Sequence, residues 1–130
     1  MSVELTMLAY SAVLFLVVIL AQAGLAIGQN GLVAQAGSRD SLPDPSVLRQ
    51  RLQRLTANLQ ENLVMFAIVV LVANAMGIAN ESTAMAATIF FYARVAHAIV
   101  YAFGWPMIRP LFYFVSLYGI VRIVLEILTA

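Results

Sequence analysis

Apolar residues in this chain gather into four long runs separated by three polar connections. The runs cover about 5–27, 47–76, 83–103 and 107–128, and the second starts amphipathic before turning apolar from 63 to 76. Each reaches or approaches the ~20 residues that cross a hydrocarbon core. Lipid offers no partner to a bare peptide group, so each run is predicted to be a helix that satisfies its own backbone. The pattern predicts an all-α integral membrane protein, one domain over residues 1–130, built as a four-transmembrane-helix bundle. The first run has Glu4 and no Lys or Arg before it, and it is too long for the apolar core of a cleavable signal peptide.

The connections differ in chemistry. Residues 28–47 hold Gly28, Gly31, Gly37, Pro43 and Pro45 with Arg39, Asp40 and Asp44, the composition of a polar loop. Asp44-Pro45 reads as a helix start, with Asp44 as the cap and Pro45 in the first turn. The second connection, Gly77 to Ser82, has no basic residue; the third is Gly104-Trp105-Pro106, with Arg109 just beyond. Arg39, Arg49, Arg51 and Arg54 flank the first loop. The positive-inside bias then places loops one and three in the cytoplasm and both termini outside.

Composition sharpens this reading. The chain is 63% hydrophobic and only 10% charged, where a soluble domain carries about a quarter charged residues. Net charge is +1, which gives no reason to expect nucleic acid as a partner. With no cysteine and one histidine, there is no disulfide framework, no thiolate nucleophile and no multi-histidine metal site within one chain. All seven basic residues are Arg, whose planar fork suits carboxylates and phosphates.

Polar residues inside the spans carry the candidate chemistry. Arg51, Arg54, Asn58 and Glu61 open the second helix and share a sector of about 80° at 100° per residue. Arg94, His97 and Tyr101 share about 60° of the third. An Arg near the middle of a span costs roughly 3 kcal/mol on insertion scales and must face protein or water; Glu61 is its expected counter-charge. Read alone, such a pair only locks two helices, and His97 reads first as an interhelical hydrogen-bond partner. Arg122 and Glu126 are expected to pair along the fourth helix. Gln22 is expected to bond across helices, and the aromatic runs 90–92 and 112–114 to face lipid. Arg109, at the start of the fourth helix, is a candidate clamp for an anion. Together these groups suit a small anionic, peptide-like ligand, with a lipophilic second substrate arriving from the bilayer.

Two stretches resemble the MAPEG family, the membrane-associated proteins of eicosanoid and glutathione metabolism. One is Arg51-x-x-Arg54-x-x-x-Asn58-x-x-Glu61. The other is Ala93-Arg94-Val95-Ala96-His97-x-x-x-Tyr101 followed by Gly104-x-Pro106-x-x-Arg109-x-x-x-Tyr113. Gly37-Ser38-Arg39-Asp40 is similar to the small bacterial branch, which implies an inner-membrane location. The resemblance implies a homotrimer with glutathione between adjacent subunits. Arg54, Asn58 and Glu61 would hold the charged ends of the tripeptide, and His97 and Tyr101 would line the site. Arg109 would sit by the sulfur and favour its thiolate, with Tyr113 one turn further on. The implied activity is that of a glutathione transferase or peroxidase acting on lipophilic electrophiles. Pro110, Ala57 and the neutral Gly28-Gln29-Asn30-Gly31 depart from the prostaglandin synthase branch or from characterised enzymes, so prostaglandin synthesis is not implied. Two alternatives remain: a non-enzymatic lipid-binding protein of the same fold, and a small four-span exporter. The exporter needs a carboxylate deep in the first helix, where this chain has only Gln22.

Overall fold

The computed structural model describes residues 1–40, 42–105 and 107–130. Its helices are α1 (Val3–Asn30), α2 (Leu32–Ala36), α3 (Val47–Ala75), α4 (Glu81–Phe103) and α5 (Arg109–Leu128). The four long helices are all long and apolar enough to cross a membrane, which suits an integral membrane protein. The short α2 interrupts what the sequence suggested was plain loop.

Local chemistry sets the helix ends. The Ser2 hydroxyl accepts from the Leu5 amide and starts α1. Asn80 and Thr83 form a reciprocal capping box that starts α4 two residues earlier than the apolar run implied. Gly104 ends α4 at φ 74°, a backbone that residues with a Cβ rarely adopt. Two boundary expectations are corrected. Ser46, not Asp44, caps α3, because its hydroxyl accepts from the Arg49 amide at 3.2 Å while the Asp44 carbonyl serves Gln29. The last helix starts at Arg109 rather than 107, with Pro110 at its second position, where no amide donor is needed. Pro106, expected to mark the turn before it, lies outside the described residues.

The main core joins Phe66, Val70 and Ala73 of α3 to Ala86, Ala87 and Phe90 of α4 and Ile120 and Ile123 of α5. Phe66 and Phe90 stack with ring centroids 3.9 Å apart. Phe90 is fully buried, so it does not face lipid as expected; its neighbours Ala86 and Ala87 leave room for the ring against α3. Tyr92 and Phe114 do lie exposed. α4 and α5 approach closely at Gly119, where a Cβ would fall 2.6 Å from the Ala86 carbonyl oxygen.

Polar fasteners tie the rest. Thr56 donates to Gln22 between α3 and α1 at 2.7 Å. Thr83 donates to the buried Glu4 carboxylate between α4 and α1. Arg122 pairs with Glu126 at 3.1 Å, as their spacing predicted, and also reaches Ser82 on α4. The connection between α1 and α3 and the turn between α4 and α5 share one end of the bundle, which holds the polar groups described next.

Candidate functional site

The stripe on α3 does not act as one surface. Each of its four side chains takes a different environment, because the helices packed against α3 differ around its circumference. Asn58 turns inward and accepts a hydrogen bond from Arg94 Nη2 at 2.7 Å. Arg54 stays exposed and donates to the Tyr101 hydroxyl at 3.2 Å. Arg51 lies against the left-handed end of α4, so close that a Cβ at Gly104 would fall 2.7 Å from its Cζ. A guanidinium there complements the negative end of the helix dipole. Glu61 is exposed.

The expected Arg94–Glu61 pair is therefore corrected. Arg94 is fully buried, and its hydrogen-bond partner is the neutral Asn58. Arg94 and Glu61 form no ion pair. One turn separates Asn58 from Glu61 on α3, and only the earlier position faces α4 at the depth of Arg94. Arg94 Nε and Nη1 are buried and make no hydrogen bond.

Beside this contact lies a cleft of about 280 Å³ lined by Asn58 from α3, His97 and Tyr101 from α4, and Arg109, Pro110 and Tyr113 from α5. Its polar groups are held from several sides. The Arg109 guanidinium sits over the Tyr101 ring, 4.8 Å from its centroid, within cation–π range. The Tyr101 hydroxyl is engaged by Arg54, and its ring packs against His97 at 5.4 Å. His97 does not make the interhelical hydrogen bond expected of it: its Nδ1 is buried and unpartnered, and the ring lines the cleft against Tyr101. Arg109 Nε is likewise buried without a partner.

Among the described residues no carboxylate lines this cleft, whereas Arg109 lines it and Arg94 and Arg54 join it through Asn58 and Tyr101. Buried donors left unpaired are destabilising by about 1–3 kcal/mol each, more when charged. An anionic ligand with several acceptors relieves that penalty. The arrangement favours a negative group beside Arg109 and a polar backbone along Asn58 and His97.

The structure thus brings Asn58, His97, Tyr101, Arg109 and Tyr113 to one cleft, with Arg54 and Arg94 adjoining it. It keeps Arg51 at the end of α4 and leaves Glu61 on the exposed face. Pro110 lines the cleft although the sequence reading used it only as a departure from a family branch. A larger cleft, about 820 Å³, lies between α1 and α3 and holds Arg39 and Arg49. In the sequence Arg49 reads only as an orientation signal, and Arg39 as that and as part of the Gly37-Ser38-Arg39-Asp40 stretch. Arg49 lies about 160° round α3 from Arg51, so no stripe pattern could have grouped them.

A protein-family model described as the MAPEG family matches residues 7–129. No curated protein and no solved structure matches the chain.

Proposed function

Because the chain belongs to the MAPEG family, we propose that it is a membrane-bound glutathione-dependent transferase or peroxidase acting on lipophilic electrophiles. Family membership carries the general part of this reading, a membrane role in glutathione or eicosanoid metabolism. The buried, unpartnered nitrogens of His97 and Arg109, which both line the cleft, carry the specific part, with Arg94 acting through Asn58. They fit a thiol tripeptide, which brings amide carbonyls to the side of His97 and an ionisable sulfur to Arg109. Glutathione supplies the nucleophilic sulfur.

The residues divide the work by position. Asn58, His97, Tyr101 and Tyr113 line the cleft and orient a peptide backbone. Arg54 and Glu61 are both exposed and would meet the charged ends of the tripeptide. Arg94 fixes Asn58, and Arg51 braces the end of α4 under Tyr101. Arg109 supplies a permanent positive charge that favours the ionised form of a thiol beside it. A shift of two pKa units in that thiol corresponds to roughly 2.7 kcal/mol. The cleft of one chain lies just below the ~300–1,000 Å³ of typical small-molecule sites. A neighbouring copy in a homotrimer would enlarge it.

The test is titration calorimetry of the purified protein with glutathione, followed by a conjugation assay on an aromatic halide. Binding is expected in the micromolar to millimolar range, weakened by Arg54→Ala and by Glu61→Ala. Arg109→Ala is expected to lower turnover about 10–100-fold at pH 7 with binding largely retained, because a neutral thiol ionises little there. Binding that neither Arg54→Ala nor Glu61→Ala changes would reduce the α3 stripe to a structural element.

A further inference from the structure

The larger cleft is separate from the one above. It is bounded by α1, by α2 with the loop that follows, and by the face of α3 that bears Arg49. We propose that it is a binding site for an anionic phospholipid, holding the headgroup phosphate at Arg49 and Arg39 and the first acyl carbons against α1.

The cleft changes character along its length. Ile19, Ala23, Ala26 and Ile27 of α1 form a mainly apolar wall, in which the one polar side chain, Gln22, is engaged by Thr56 of α3. Ile19 lies eleven residues before Asn30, about 16 Å along a helix. At the loop end the lining turns polar, and Arg39 and Arg49 stand against Asp44 there. Two cations and one anion leave the lining with a single positive charge. An apolar wall leading to a cationic mouth at the end of a membrane span fits an amphiphile better than a free solute.

The cationic end is built rather than incidental. Arg49 is only 7% exposed. Its Nη1 donates to Gln29 Oε1 at 2.8 Å, while its Nε is buried without a partner. Gln29 fixes the whole mouth, since its Oε1 also accepts from the Ser46 amide and its Nε2 donates to the Asp44 carbonyl. Arg39 holds a left-handed backbone, φ 68°, unusual for a residue with a Cβ. Its Nε donates to the Gln35 carbonyl at 2.6 Å, which turns the guanidinium back toward the cleft.

The remaining groups narrow the headgroup. Asn30 Oδ1 is buried and unpartnered, and Asp44 also lines the cleft. Both are acceptors, and they suit hydroxyl donors on a headgroup whose phosphate the arginines hold. A phosphodiester that carries a glycerol headgroup meets all four groups.

Native mass spectrometry of the full-length protein tests this, with phosphatidylglycerol, phosphatidylethanolamine and phosphatidylcholine offered in equal amounts. Phosphatidylglycerol is expected to be retained at least roughly tenfold over the other two, as two interfacial arginines imply. Arg49→Gln and Arg39→Gln are expected to reduce that preference. Ala23→Trp, at an exposed position on the apolar wall, is expected to abolish retention of all three by filling the cleft. If Arg49→Gln does not fold, the other two variants decide. Equal retention of the three lipids overturns the proposal. So does retention that Arg39→Gln and Ala23→Trp leave intact, displacement by inorganic phosphate alone, or displacement by glutathione. The last result would assign the cleft to the tripeptide and leave the reading of the α3–α4–α5 cleft standing.

Discussion

At the scale of single residues, Arg94 and Asn58 show how a buried charge is tolerated and what it demands. Arg94 has no exposed surface, and Asn58 is its hydrogen-bond partner. The two residues should therefore respond asymmetrically to substitution. Asn58→Leu strands the guanidinium and is expected to destabilise the protein by about 2–3 kcal/mol, the scale of a hydrogen bond to a charged group. Arg94→Met removes the buried charge with its demand and is expected to be neutral or stabilising, while weakening glutathione binding. Unfolding in mixed micelles, run beside calorimetry, measures both. Equal losses of stability in the two variants would show that Arg94 is held by more than Asn58. That Arg94 needed a partner was legible in the sequence, because a cation at mid-span cannot face lipid. The partner's identity was not, because Asn58 and Glu61 differ by one helical turn and only packing decides which of them α4 covers.

At the scale of elements, α4 and α5 depend on small residues for their close approach. Gly119 meets the Ala86 carbonyl and the Phe90 side chain, both fixed within α4. Gly119→Leu is expected to push the two helices apart and cost about 1–3 kcal/mol. It should also lower glutathione affinity, since Arg109 and Tyr113 on α5 would move away from Tyr101 and His97. Thermal unfolding and calorimetry on the same preparation check this; a stable variant with unchanged affinity would mean that α5 is not positioned by this contact. The spans themselves were readable from hydropathy to within a few residues. The starts of α3 and α5 were less so: Asp44, Pro45 and Ser46 compete at the first, Pro110 sits inside the second, and the tertiary path of each connection selects among the choices.

At the scale of the whole molecule, the exposed apolar faces of the four long helices fit a bilayer, and the homotrimer and its orientation are expectations that follow from the family and the arginines. The chain has no cysteine, so single cysteines report sidedness cleanly. Ala79→Cys is expected to react with an impermeant maleimide on intact cells, and Ser38→Cys only after permeabilisation. The reverse pattern would invert the bundle. Cross-linking in membranes is expected to stop at three copies; a ladder ending at two or four would reject the trimer. The sequence by itself determined that four stretches are fit to cross a membrane as helices and that Arg94, at mid-span, must be met by protein or water. Both follow from transfer energies that depend on residue type and order alone. The tertiary structure decided which polar groups meet: Asn58 rather than Glu61 at Arg94, Arg109 over Tyr101, and Arg49 on a separate cleft beside α1. Those outcomes depend on helix rotation and depth, which the packing of Phe66 on Phe90 and of Gly119 on Ala86 fixes and no periodicity along one helix encodes.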